Sequence, residues 1–197
     1  MRSATSLVRA SVTLAAIAAL GFPGLAHALE AAELMQVLSD VPSSRARFIE
    51  TRHSALLKKP LVLSGRLVYR RPDRLEKHVL TPYEESITIE GTRVSITRQG
   101  AEPGRIFTLP ASGPAQALIE SLRATLAGDL AALERHFAVA VSGTRGDWTI
   151  SLTPRDPALG AVVLRVEFAG KGNRVGRIEV LEAGGDRSVT TVSDENR

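Results

Sequence analysis

The chain has 197 residues, with 25 lysines and arginines against 21 aspartates and glutamates for a formal charge of +4, and no cysteine. Without cysteine it forms no disulfide, offers no thiol chemistry and cannot carry an acylated-cysteine anchor. The basic residues are mostly arginines scattered singly between acidic ones, the pattern of a solvated surface, so no nucleic-acid partner is expected.

The first 28 residues read as an export signal. Arg2 and Arg9 precede an apolar run from Ala10 to Leu20, then a Phe22-Pro23-Gly24 break and the small-x-small site Ala26-His27-Ala28. Cleavage is expected before Leu29, leaving residues 29–197 as a single periplasmic domain. The apolar run is shorter than the ~20 residues a membrane helix needs.

Leu34, Val37, Leu38 and Val41 fall at helical spacing, which predicts a helix from Leu29 that Pro42 ends. From Arg45 the period changes to two. Phe48 opens a strand, and Leu61, Leu63, Leu67 and Tyr69 line one face of the next. Strands are expected around Leu75 to Leu80, Ser86 to Glu90, Arg93 to Thr97 and Arg105 to Leu109, with Pro72-Asp73, Pro82, Glu90-Gly91 and Pro103-Gly104 as turns.

Pro114 to Phe137 is helical in pattern, and Gly128-Asp129 marks a break between two short helices. Sheet returns at Phe137 to Val141, at Trp148, Ile150 and Leu152, and at Val162, Leu164, Val166 and Phe168. Val175 to Leu181 and Ser188 to Val192 follow, joined by Ala183-Gly184-Gly185-Asp186, a hairpin signal. The pattern is mainly β (α+β): about eleven antiparallel strands with few helices, which must curl to avoid leaving an apolar face bare.

Candidate chemistry is sparse. His53, His78 and His136 lie far apart with no metal-ligand spacing, and no serine sits in a Gly-x-Ser-x-Gly elbow. Gly170 to Gly176 resembles a phosphate loop but joins strand to strand, which favours a hairpin turn. Glu84-Glu85 and Asp186 are explained by turns. No catalytic residue, metal or cofactor is expected.

Arg70-Arg71-Pro72-Asp73-Arg74 is harder to explain as an exposed basic turn. Proline restrains its predecessor to extended geometry, so Arg71 ends a strand with its direction fixed, and its guanidinium can serve several acceptors in one plane.

At these residues the sequence resembles the LolA family of periplasmic outer-membrane lipoprotein carriers. The matching parts are Gly65-Arg66-Leu67-Val68-Tyr69, Arg71-Pro72, Thr81-Pro82, and Ile87-Thr88-Ile89-Glu90-Gly91 with Val94. The order of elements agrees over nearly the whole mature chain, through Trp148-Thr149-Ile150-Ser151-Leu152-Thr153-Pro154.

The resemblance implies a half-open, strongly curved antiparallel β-barrel with an N-terminal helix and a central helical pair as lid. It implies an apolar cavity for acyl chains, with Arg71 and Pro72 as a latch between barrel and lid. Candidate lining residues are Phe48, Leu63, Leu67, Tyr69, Ile87 and Ile89, then Ile150, Leu164 and Val166, with Leu118 and Leu122 from the helices.

Implied partners are an acylated lipoprotein or lipid cargo, an inner-membrane donor and an outer-membrane acceptor, for a protein acting as a monomer. The chain departs from the family at Leu75, His78, Ser95 and Ile96, where aromatic residues are common. An alternative is therefore a cavity protein for another apolar cargo, such as the acylated product of a lipid or secondary-metabolite pathway; an enzyme on the same scaffold would need convergent polar groups in the cavity.

Overall fold

The computed structural model describes residues 30–110 and 113–195. The expected export signal and its cleavage site lie outside these residues.

The helix α1 (Ala31–Ser39) is followed by strands β1 (Ser43–His53), β2 (Leu61–Arg70), β3 (Arg74–Thr81), β4 (Glu85–Glu90), β5 (Arg93–Arg98) and β6 (Ala101–Thr108). Helices α2 (Pro114–Ala127) and α3 (Leu130–His136) lead to β7 (Phe137–Thr144) and β8 (Asp147–Pro154). A short α4 (Pro157–Gly160) then precedes β9 (Val163–Lys171), β10 (Arg174–Glu182) and β11 (Arg187–Asp194). The α4 turn had no periodic signal in the sequence; Asp156 caps it by accepting from the Ala158 amide at 2.7 Å, and Pro157 starts it.

All eleven strands form one antiparallel sheet, ordered β6-β5-β4-β3-β2-β1-β11-β10-β9-β8-β7. The sheet is a meander whose first and last strands meet in the middle, with Phe48 opposite Val192. Strands β6 and β7 are left as edges, and the sheet does not close on itself.

Period-two alternation places a largely apolar face on the concave side, with Ser44, Glu50 and Lys77 as polar members. Leu63, Leu67 and Tyr69 of β2 stand opposite Glu50, Ala46 and Ser44 of β1, while Leu75 and Lys77 of β3 stand opposite Ile89 and Ile87 of β4.

The helices fill half of this concavity. Leu34, Met35 and Leu38 of α1, with Ala124 of α2 and Leu133 of α3, pack on Trp148, Ile150, Leu152, Val166 and Phe168 of β8 and β9. Each fully buried side chain of this kind contributes about 1.5–3 kcal/mol, so this half is the stable core. A smaller cluster of Phe48, Leu63 and Val79 sits on the other half.

Two glycines permit this packing. Gly170 lies under Trp148, and a Cβ there would stand 2.4 Å from the indole; the indole N–H donates to the Gly172 carbonyl at 2.8 Å. The glycine-rich Gly170 to Gly176 segment is thus the β9–β10 hairpin turn and the seat of the tryptophan. Gly128 ends α2 at φ +70° and touches the α1 backbone, where a Cβ would come within 2.0 Å of the Met35 carbonyl oxygen.

The convex face carries ion pairs beside exposed apolar residues such as Ile49 and Val62. Glu179 of β10 accepts from Arg187 at 2.6 Å and Arg177 at 2.5 Å. The Arg187 hydrogen bond, with help from Arg177 and against the effect of burial, pulls the Glu179 carboxyl to about 2 from 4.5. A carboxyl lowered on folding stabilises above its unfolded value and loses that contribution as pH falls through the folded one. The stability difference between the parent and Glu179→Gln should therefore shrink from about pH 6 to about pH 2 in urea melts. A difference independent of pH over that range would contradict the pairing.

Candidate functional site

Over the half of the sheet that the core leaves free, a cavity of about 510 Å³ lies between strands and helices. Its floor comes from Leu67 and Tyr69 of β2, Leu75 of β3, and Ile87 and Ile89 of β4; Val192 of β11 and Ile178 of β10 continue it across the seam. Its roof is Leu38 and Val41 beside Ile119, Leu122 and Leu126 of α2. Alternation accounts for the floor and helical spacing for the roof, since residues three and four apart on α2 share a face.

Of the residues expected to line a cavity, Leu67, Tyr69, Ile87, Ile89 and Leu122 border it. Phe48 and Leu63 lie farther along the same face in the smaller cluster, while Ile150 and Val166 are packed in the core with Leu118 against it. Leu164 is a correction. It is 48 % exposed, because the β9–β10 register slips between Leu181 and Glu182, and Val163 and Val166 both turn inward around it. A bulge of this kind breaks the simple alternation on which the expectation rested.

Arg71 ends β2 at the corner with Pro72, a cis peptide bond. Its Nη2 donates to the carbonyl oxygens of Ser39 at 2.5 Å and Ala127 at 3.0 Å. These are terminal carbonyls of α1 and α2, which lack partners inside their own helices and carry the negative ends of the helix dipoles. One guanidinium therefore joins the sheet to both roof helices. Asp129 starts α3 just beyond, accepting from the Ala132 amide at 2.9 Å.

A second cationic contact was not read from the sequence. Arg123 of α2 donates through Nη2 to the carbonyl of Gly91 in the β4–β5 turn. Burial lowers the Arg123 pKa, opposed by Asp73 and Glu120. Its place between Leu122 and Leu126, one residue from the apolar face of α2, was the available signal. Arg123→Met should speed hydrogen exchange at the amides of the β4–β5 turn and the C-terminal half of α2, roughly tenfold for loss of a bond to a charged donor. Unchanged exchange there would show that the contact holds nothing.

Charged groups also enter the concave face. Glu50 is buried, 4 % exposed, and accepts from Lys77 and Arg52. Burial works against its carboxylate, but Lys77 and Arg52 outweigh this and keep its pKa below the ordinary value. Lys77 lines the cavity, with its Nζ 5.0 Å from the centre of the Phe48 ring.

His78 is on the convex face with Glu76 and Ser86, His136 pairs with Glu120, and His53 ends β1 exposed. Among the described residues no group of three or more His, Asp or Glu side chains could hold a metal ion.

Residues 23–196 match the family model described as outer membrane lipoprotein carrier protein LolA-like. The chain belongs to this LolA-like family. It is 30 % identical over 167 residues to an outer-membrane lipoprotein carrier protein of Methylibium petroleiphilum, covering 84 % of this chain and 77 % of that one. A protein of the same name from Aeromonas salmonicida is 27 % identical over 167 residues, covering 85 % and 78 %. Among solved structures, a LolA superfamily protein of Nitrosomonas europaea superposes with a TM-score of 0.45 at 11 % identity, over 84 % of this chain and 92 % of that one. The resemblance read from the sequence is thus to the chain's own family, and the low identities are those of a divergent member.

Proposed function

We propose that this LolA-like protein is a periplasmic carrier that takes acyl chains of a lipoprotein or lipid into the cavity and moves them towards the outer membrane. Residues 1–28 serve as the cleaved export signal, and the mature protein acts as a monomer between an inner-membrane donor and an outer-membrane acceptor. It binds and releases cargo without catalysis.

The observation that carries this reading is the apolar cavity of about 510 Å³ roofed by helices that Arg71 joins to the sheet. That volume is within the ~300–1,000 Å³ usual for ligand sites. Each buried methylene contributes about 0.8 kcal/mol, so a partly enclosed chain binds without directional contacts. Release then requires the helices to lift, which gives Arg71 its role as latch and Pro72 the role of fixing the corner.

The test is binding of a fluorescent acyl chain or an acylated lipoprotein to delipidated protein. Fluorescence enhancement that a competing acyl chain reverses supports the carrier, whereas no binding of either ligand contradicts it.

A second reading, a cavity protein for a cargo other than a lipoprotein, is favoured by Lys77 in the floor, paired with buried Glu50, and by Leu75 where an aromatic residue is common in the family. Mass spectrometry of lipid co-purifying from the native periplasm separates the two.

A further inference from the structure

An apolar cavity built only for hydrocarbon has no use for a charge, because a charged group in low dielectric is costly unless paired. This cavity has one. Lys77 stands in the floor opposite Leu67 on one side and Ile87 on the other, both lining residues. Its partner Glu50 is shared with Arg52, so two cations meet one carboxylate and the cluster carries surplus positive charge.

Other charged pairs on this face cancel themselves. Glu85 takes Arg98 at 2.6 Å, and Asp194 takes Arg174 at the opposite end of the cavity. The surplus therefore lies at Lys77 and Arg52, with Arg45 also bordering the cavity, and the Arg52 side chain is 47 % exposed, so its end of the cluster meets water.

A second observation points the same way. Tyr69 borders the cavity on the next row of the floor, diagonal to Lys77 in the β2–β3 register. Its hydroxyl is buried and has no hydrogen-bond partner among the described residues. A buried phenol without a partner is uncommon and calls for an explanation. A phenol hydroxyl and an ammonium each donate, so an acceptor suits either of them, and surplus charge selects an anionic one.

We infer that the cavity selects an amphiphile whose head carries an anionic oxygen, a carboxylate or a phosphate, placed at Lys77 with its chain along the apolar floor. The inference rests on the carrier reading and adds the head group to it. Glu50 holds the lysine in the floor, and Arg52 supplies the charge that Glu50 leaves uncancelled. The neutral diacylglyceryl group of a lipoprotein makes no use of this cluster.

The experiment measures binding of a fluorescent long-chain carboxylate, the matching alkyl phosphate and the methyl ester of the same chain to the full mature protein, delipidated, at about pH 8 and low salt. The carboxylate and the phosphate should each bind about tenfold tighter than the ester, the effect of one charge-assisted hydrogen bond. Only one of the two anions binding tighter fixes which head the site takes and still supports the inference.

In Lys77→Met the ratio of anion to ester affinity should fall to about one, and Lys77→Arg should keep it at about ten. Because Lys77→Met strips a partner from buried Glu50, the double variant Lys77→Met with Glu50→Gln is measured beside it, and the same loss is expected. Equal affinity of anions and ester in the parent overturns the inference and leaves the carrier intact. No binding of any of the three chains overturns the carrier reading itself.

Discussion

Gly128→Val should be among the more damaging substitutions, lowering stability by about 3 kcal/mol or more. Two effects combine. At φ +70° a β-branched residue is strained, and the new Cβ would come within 2.0 Å of the Met35 carbonyl oxygen and 2.8 Å of the Ser39 amide nitrogen. Both neighbours are backbone of α1, so the clash is relieved only if the two helices part. Helix α1 contributes Leu34, Met35 and Leu38 to the core, so parting them exposes it. For a domain of this size the melting temperature should fall by roughly 6–12 °C. Urea unfolding of Gly128→Val and Gly128→Ala beside the parent tests this, and a valine variant within about 1 kcal/mol of the parent would show that α1 and α2 do not pack here as described.

Arg71→Leu should act on cargo rather than on folding. The side chain is exposed, so the fold loses little, but the carbonyls of Ser39 and Ala127 lose a charged donor that they share. A hydrogen bond to a charged group is worth about 1.5–3 kcal/mol, with the lower end apt for an exposed site. The lifted state of the helices should become roughly tenfold more populated, and a bound fluorescent chain should dissociate faster by a similar factor. Stopped-flow release into vesicles measures it. A release rate equal to that of the parent, with circular dichroism unchanged, would leave Arg71 as a structural tie with no part in cargo exchange.

Most of the scaffold was legible because each part has a short-range cause. Alternation marked the eleven strands, Gly128-Asp129 marked the break between α2 and α3, and Pro42 marked the limit of α1. Arg71 stood out because proline beside it fixes a strand end. What was hidden depends on distant pairing. The bulge that turns Leu164 outward arises between β9 and β10, and the sequence of β9 alone reads as unbroken alternation. Residues of the concave face look alike in sequence, and only the position of the helices decides that Ile87 and Ile89 border a cavity while Ile150 and Val166 are packed solid. Lys77 in β3 and Arg123 in α2 were passed over for a related reason: a lone cation in a strand or helix reads as surface until its opposite number is known.

The seam between β1 and β11 bears on the order of events in the life of the chain. Ala46 lies opposite Asp194, so the middle of the sheet is sewn from its two ends in sequence. Such a contact spans nearly the whole domain, and pairing across so long a loop is slow. A nascent chain still lacking β11 holds two separate hairpin arrays, neither with its central neighbour, and the cavity has no floor across the seam. Pairing of the two halves of the sheet across this seam therefore waits for the last strand. The cavity and the chain are completed together, because Val192 and Asp194 of β11 are part of its lining.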